Sequence, residues 1–81
     1  MRSSREPILK AAGYAYNFDR MAYFNRQTKK VFSVEWLEDH PVEDLQRALA
    51  EPNDRGEWRL YVDQMPPQHV IKALLADIDG R

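Results

Sequence analysis

The chain has 81 residues, 43% apolar and 31% charged, with nine aromatics, no cysteine and a formal net charge of −1. That composition describes one globular domain rather than a disordered segment, and it excludes a disulfide framework and a thiolate metal site. A chain this short buries only ~60–65% of the surface its unfolded form exposes, so a site on it is expected to be a surface patch or a shared cleft.

The first element is a helix over Glu6–Ala12. Ile8, Leu9 and Ala12 share one stripe, Ser4 can cap the start, Pro7 suits the first turn, and Gly13 suits the left-handed residue after the end. Tyr14, Tyr16 and Phe18 then alternate with Ala15, Asn17 and Asp19, a strand pattern that loses phase at Met21–Phe24. A bulge or a tight turn near Asp19 explains the slip.

Asn25–Lys30 reads as a hairpin loop, with the Asn25 side chain able to close a turn on its own backbone. Phe32, Val34 and Trp36 alternate with Ser33 and Glu35, a half-buried strand. Asp39-His40-Pro41 opens a helix whose stripe is Val42, Leu45 and Leu49, and Pro52 stops it. Trp58, Leu60 and Val62 alternate with Arg59, Tyr61 and Asp63 as another strand. Met65-Pro66-Pro67 opens the last helix, with Val70, Ile71, Leu74, Leu75 and Ile78 on one face and Gly80 beyond its end.

The order α-β-β-α-β-α, with an extra strand near residues 14–18, predicts a single α+β domain over residues 1–81. Its ends, 1–4 and 79–81, are expected to fray. The economical architecture is a small, mainly antiparallel sheet of three to four strands with helices packed on one face. Phe32, Val34, Trp36, Trp58, Leu60 and Val62 then point at Leu45, Leu49, Val70, Leu74 and Ile78. Ser33, Glu35, Arg59, Tyr61 and Asp63 show on the other face.

Catalytic signals are sparse. His40 and His69 both lie at predicted helix starts, and neither has a second histidine at metal-binding spacing. Glu35, Glu38, Asp39, Glu43 and Asp44 are oxygen donors, but their spacing fits no calcium loop and suits a helix start that favours negative charge. Ser33 lacks a nucleophile-elbow context, and three glycines far apart build no phosphate loop. No cofactor and no metal are expected. An enzyme, as a small hydrolase or nuclease, requires His40 to converge with Glu35, Glu38 or Asp39.

Charge is unevenly spread. Residues 1–34 carry seven Lys/Arg against two acids, and residues 35–81 carry five against eleven. Two readings follow: a polyanion-binding surface, or two halves that attract each other within the fold. For the first, the basic residues Arg20, Arg26, Lys29 and Lys30 lie among Tyr14, Tyr16, Tyr23 and Phe24, types that pair with phosphates and stack on bases. The slightly negative total charge argues against it.

The order of elements together with Ala11-Ala12-Gly13-Tyr14 loosely resembles small folds of the double-stranded-RNA-binding type and the toxin ribonucleases built on them. Those toxins place a histidine in the first strand region, where this chain has Asn17, Asp19 and Arg20, so ribonuclease activity is not implied.

The leading expectation is a non-catalytic protein-interaction or regulatory module, self-association included, with Tyr23, Arg59 and Tyr61 on its contact surface. Nucleic-acid binding is the alternative and an enzyme the third. No apolar run approaches the ~20 residues that span a bilayer. No membrane partner is expected, and the cytoplasm is the expected location.

Overall fold

The computed structural model describes residues 5–79. Helix α1 spans Glu6–Ala11, strands β1, β2 and β3 span Ala15–Asn17, Ala22–Asn25 and Lys30–Ser33, and helices α2 and α3 span Val34–Asp39 and Val42–Ala50. Strand β4 spans Arg59–Tyr61 and helix α4 spans Gln68–Asp79. The fold is a small α+β domain with a four-stranded sheet in the order β1-β2-β3-β4. The β1/β2 and β2/β3 pairs are antiparallel and β3/β4 is parallel. The expected Ser4 cap, the Gly80 stop and the fraying of 1–4 and 80–81 lie outside the described residues.

The phase slip after Phe18 is a tight turn, not a bulge. Asn17 pairs with Ala22 across β1 and β2, and the Arg20 backbone N–H donates to Asn17 Oδ1 at 2.9 Å. Met21 closes the turn at φ 52°. The second hairpin is organised by Asn25. Its Oδ1 accepts from the Gln27 and Thr28 backbone N–H groups at 2.7 and 3.1 Å, and Lys29 completes the reversal at φ 58°. The Asn25 side chain also donates to the Ala12 and Gly13 carbonyls, so one buried amide ties the end of α1 to the hairpin. Gly13 sits at φ +90°, with the position of a Cβ only 3.2 Å from Asn25 Nδ2, so glycine is needed there for both reasons.

The expected strand Phe32-Val34-Trp36 is cut short. Ser33 Oγ accepts the Trp36 backbone N–H at 3.1 Å and caps α2. Val34 and Leu37, three apart, are buried together. The alternation of a few residues fits both periods, and the cap decides for the helix.

Register then separates the two faces. Tyr16, Tyr23, Phe32 and Tyr61 are successive cross-strand partners, forming one row across all four strands. This row meets Leu9, Leu37, Leu45 and Ala48 from α1, α2 and α3. Phe32 and Tyr61 stack with centroids 4.4 Å apart and planes 7° apart. The neighbouring row, Phe24, Val31 and Leu60, lies on the opposite face with Ala22, where Leu74 and Ile78 of α4 cover it.

The expectation of helices on one face is therefore corrected. The buried alternation starts at Phe32 in one strand and Tyr61 in the other, so Leu60 points away from Phe32. Trp58 and Val62 flank β4 rather than belonging to it.

Candidate functional site

The basic residues of the N-terminal half are mostly occupied inside the fold. Lys30 is 1% exposed, and its Nζ donates to the Ala48 carbonyl at 2.7 Å and to those of Leu49 and Glu51. It is the C-terminal cap of α3, an ammonium at the negative end of a helix. Burial pushes its pKa down, the Glu51 carboxylate pulls it back up, and Arg59 adds to the lowering. Arg26 does the same for α4, donating Nε to the Ile78 carbonyl at 2.9 Å while its guanidinium lies 5.4 Å from the Phe24 ring. Lys29 Nζ donates to the Gly56 carbonyl at 3.2 Å, and Arg5 donates to the His40 carbonyl at 2.7 Å. The charge asymmetry of the two halves is thus spent largely on backbone carbonyls of the C-terminal half. Of Arg20, Arg26, Lys29 and Lys30, Lys30 is removed from any nucleic-acid contact by burial.

The expected protein-contact residues also move inward. Tyr23 is 4% exposed within the core, because its register places it opposite Phe32. Tyr61 is half-buried under Arg59, and its hydroxyl donates to Glu51 Oε1 at 2.6 Å. Desolvation and that hydrogen bond push its pKa well above the usual phenol range. Arg59 is exposed, pairs with Glu51 at 3.5 Å and lies 5.6 Å over the Tyr61 ring. Of the three only Arg59 is fully exposed, and it forms a small polar cluster with Tyr61 and Glu51 beside β4.

His40 lies near the Asp39–Asp63 carboxyl pair, within electrostatic reach of Asp63. Its ring stacks on Trp36 at 4.1 Å, and Nδ1 donates to the Trp36 carbonyl at 2.8 Å. Glu35, Glu38 and Asp39 of α2 gather beside Asp63 in an open depression. A hydrogen bond between the Asp39 and Asp63 carboxyls raises the Asp63 pKa, burial and the neighbouring charges of Asp39 and Glu35 add to it, and His40 opposes it.

Large apolar residues are exposed at Met65, before α4, and at the β1–β2 turn, where two of them adjoin. Phe18 is 82% exposed and Met21 is 58% exposed, although large apolar residues elsewhere on the sheet are covered. Phe18 is held against Tyr16 in an edge-to-face contact at 4.8 Å, and Tyr16 in turn meets Tyr23 at 4.8 Å. The result is an aromatic shelf, continuous with the core row, that opens into a shallow groove rimmed by Glu6 and Glu38. Strand β1 beside it is a sheet edge, paired on one side only. The sequence signal for this surface was the loss of alternation after Phe18. A tight turn at that point throws the last aromatic of the strand outward.

No membrane-spanning helix occurs among the described residues. Comparison with protein-family models, with curated proteins and with solved structures gives no match.

Proposed function

We propose that the chain is a non-catalytic protein-interaction module that pairs with a second copy of itself through the β1 edge and the Phe18–Met21 turn. The observation that carries this reading is Phe18, 82% exposed and braced on Tyr16 just after an edge strand that is paired on one side only. An edge strand offers a row of unpaired backbone N–H and C=O groups, and antiparallel addition of an identical strand satisfies both copies about a two-fold axis. With Asn17 at the centre of that pairing, residue 18 of each copy lies opposite residue 16 of the other, so Phe18 of each copy falls beside the other's Tyr16. Each Phe18 is then covered by the partner's aromatic shelf, which is the geometry of a small hydrophobic hot spot.

Sedimentation equilibrium over increasing protein concentration tests the reading. The expected result is a reversible monomer–dimer equilibrium, and Phe18→Lys shifts it to monomer with an unchanged circular-dichroism spectrum. A native chain that stays monomeric up to millimolar concentration overturns it.

A further inference from the structure

On the face opposite the aromatic row, α4 covers the sheet unevenly. Leu74 and Ile78 are buried against Ala22 and Val31, but Val70, one turn before Leu74, is only half-buried. The C-terminal end of the helix is held by two contacts. Asn17 Nδ2 donates to Asp77 Oδ2 at 3.0 Å, and Arg26 caps the Ile78 carbonyl. At the other end, Val70 and Leu74 line a gap shared with the residues that follow β4.

The gap is a cavity of about 180 Å³ with Val31, Leu60, Val70 and Leu74 among its lining. Its mouth carries three charged side chains, Arg20, Glu35 and Asp63. They follow the strand order: Arg20 precedes β2, Glu35 follows β3 and Asp63 follows β4. The cation and the outer carboxylate are thus two strand spacings, about 10 Å, apart at the backbone, with Glu35 between them.

We infer that this cleft binds a free aliphatic α-amino acid, with its carboxylate on Arg20, its ammonium on Asp63 and Glu35, and its side chain on the Val31–Leu60–Leu74 floor. An apolar cavity with a few convergent polar groups has the make-up of a ligand site, and at about 180 Å³ this one lies below the usual size range and admits only a small molecule. The rim carries one cation and two anions separated across the mouth. A zwitterion meets both signs; a simple amine meets Arg20 as a like charge, and a simple carboxylate meets Glu35 and Asp63 so. Asp63 faces the carboxyls of Asp39 and Glu35, with His40 on the same group in the opposite sense, and an ammonium on the cleft side relieves the remaining crowding of three carboxyls. The site is on the opposite face from the Phe18 shelf, so it does not depend on self-association.

Nuclear magnetic resonance titration of the full chain with L-leucine tests this, with leucinamide, 4-methylpentanoate and glycine as comparators. They lack the carboxylate, the ammonium and the side chain in turn. The expected result is shifts of the Leu60, Asp63 and Val70 amides with a Kd on the order of 1 mM for leucine, and binding weaker by about tenfold for each comparator. Arg20→Gln should bring leucine down to leucinamide, and Asp63→Asn should bring it down to 4-methylpentanoate. Both positions are exposed, so the variants keep the fold. Absence of shifts at the cleft with leucine, or comparators that bind as well as leucine, overturns the proposal.

Discussion

Lys30 shows how far one side chain can be from its composition-level reading. It is a cation in a basic stretch, yet it is among the largest fully buried side chains of the domain. The end of α3 leaves carbonyls without helical partners, and the ammonium supplies donors to three of them. Hydrogen bonds from a charged donor are worth about 1.5–3 kcal/mol each, partly offset here by desolvation of the ammonium. Lys30→Met, of similar length and without a donor, should therefore lose about 2 kcal/mol of stability in urea denaturation. Tyr61 gives a second test at this scale. Its folded pKa is raised above the 10.0 of a free phenol, first by desolvation and then by the bond to Glu51. The unfolded chain releases that proton first, so the contribution is present up to pH 10 and is lost as pH rises beyond it. Burial also raises the Tyr14 pKa, so phenolate absorbance should show two late-titrating tyrosines, of which Tyr61→Phe removes one. The same variant should lose less stability between neutral pH and pH 11 than the native chain does.

At the scale of elements, boundaries are decided by single polar side chains. Ser33 is the last residue of β3 and the cap of α2. Without its oxygen the first turn of α2 keeps an unsatisfied N–H, and nothing in the short run Val34-Glu35-Trp36 opposes continuation as a strand. Ser33→Ala should cost about 1 kcal/mol, read as a lower urea midpoint with an unchanged slope. α2 matters beyond its length because it places Trp36 against Phe32 and Tyr61, with His40 stacked on Trp36, and leaves Glu35 and Glu38 exposed. The Asn25 hairpin works in the same way. One amide fixes the turn, and through Ala12 and Gly13 it holds α1 against the sheet. The edge strand β1 is short, and short edges limit unwanted pairing. Phe18 is the exception to that protection, which is why Phe18→Lys is the discriminating change for self-association.

The whole molecule is a sheet with two unequal covers. Three helices seal the aromatic row, and a single helix tied down at its C-terminal end covers the other face. The first cover builds a tight core around Phe32, which is 0% exposed. The second leaves the cleft at whose mouth Arg20, Glu35 and Asp63 meet. The two proposed surfaces follow from this division: the Phe18 shelf continues the aromatic row past the end of β1, and the cleft lies between the sheet and the N-terminal half of α4. The charge imbalance between the halves is resolved at this scale as well, as cations of the first half reach helix ends of the second.

Several features are determined locally and were therefore legible in the sequence. Pro41, Pro52 and Pro66-Pro67 restrict the backbone wherever the chain goes, so the limits of α3 and the start of α4 could be read. Asn25 and Gly13 act on neighbours a few residues away, so the hairpin and the end of α1 could be read too. The α+β class follows from the same local periods. Facing, by contrast, was decided only by tertiary structure. A strand's alternation says that two sets of side chains point opposite ways, but not which set meets which cover. Phe32 and Leu60 were expected on one side, and the parallel register of β3 with β4 sets Phe32 beside Tyr61 instead. The burial of Lys30 depended likewise on where the end of α3 comes to rest, eighteen residues or more along the chain. Such contacts depend on which distant groups the fold brings within reach, and local preference carries no record of that.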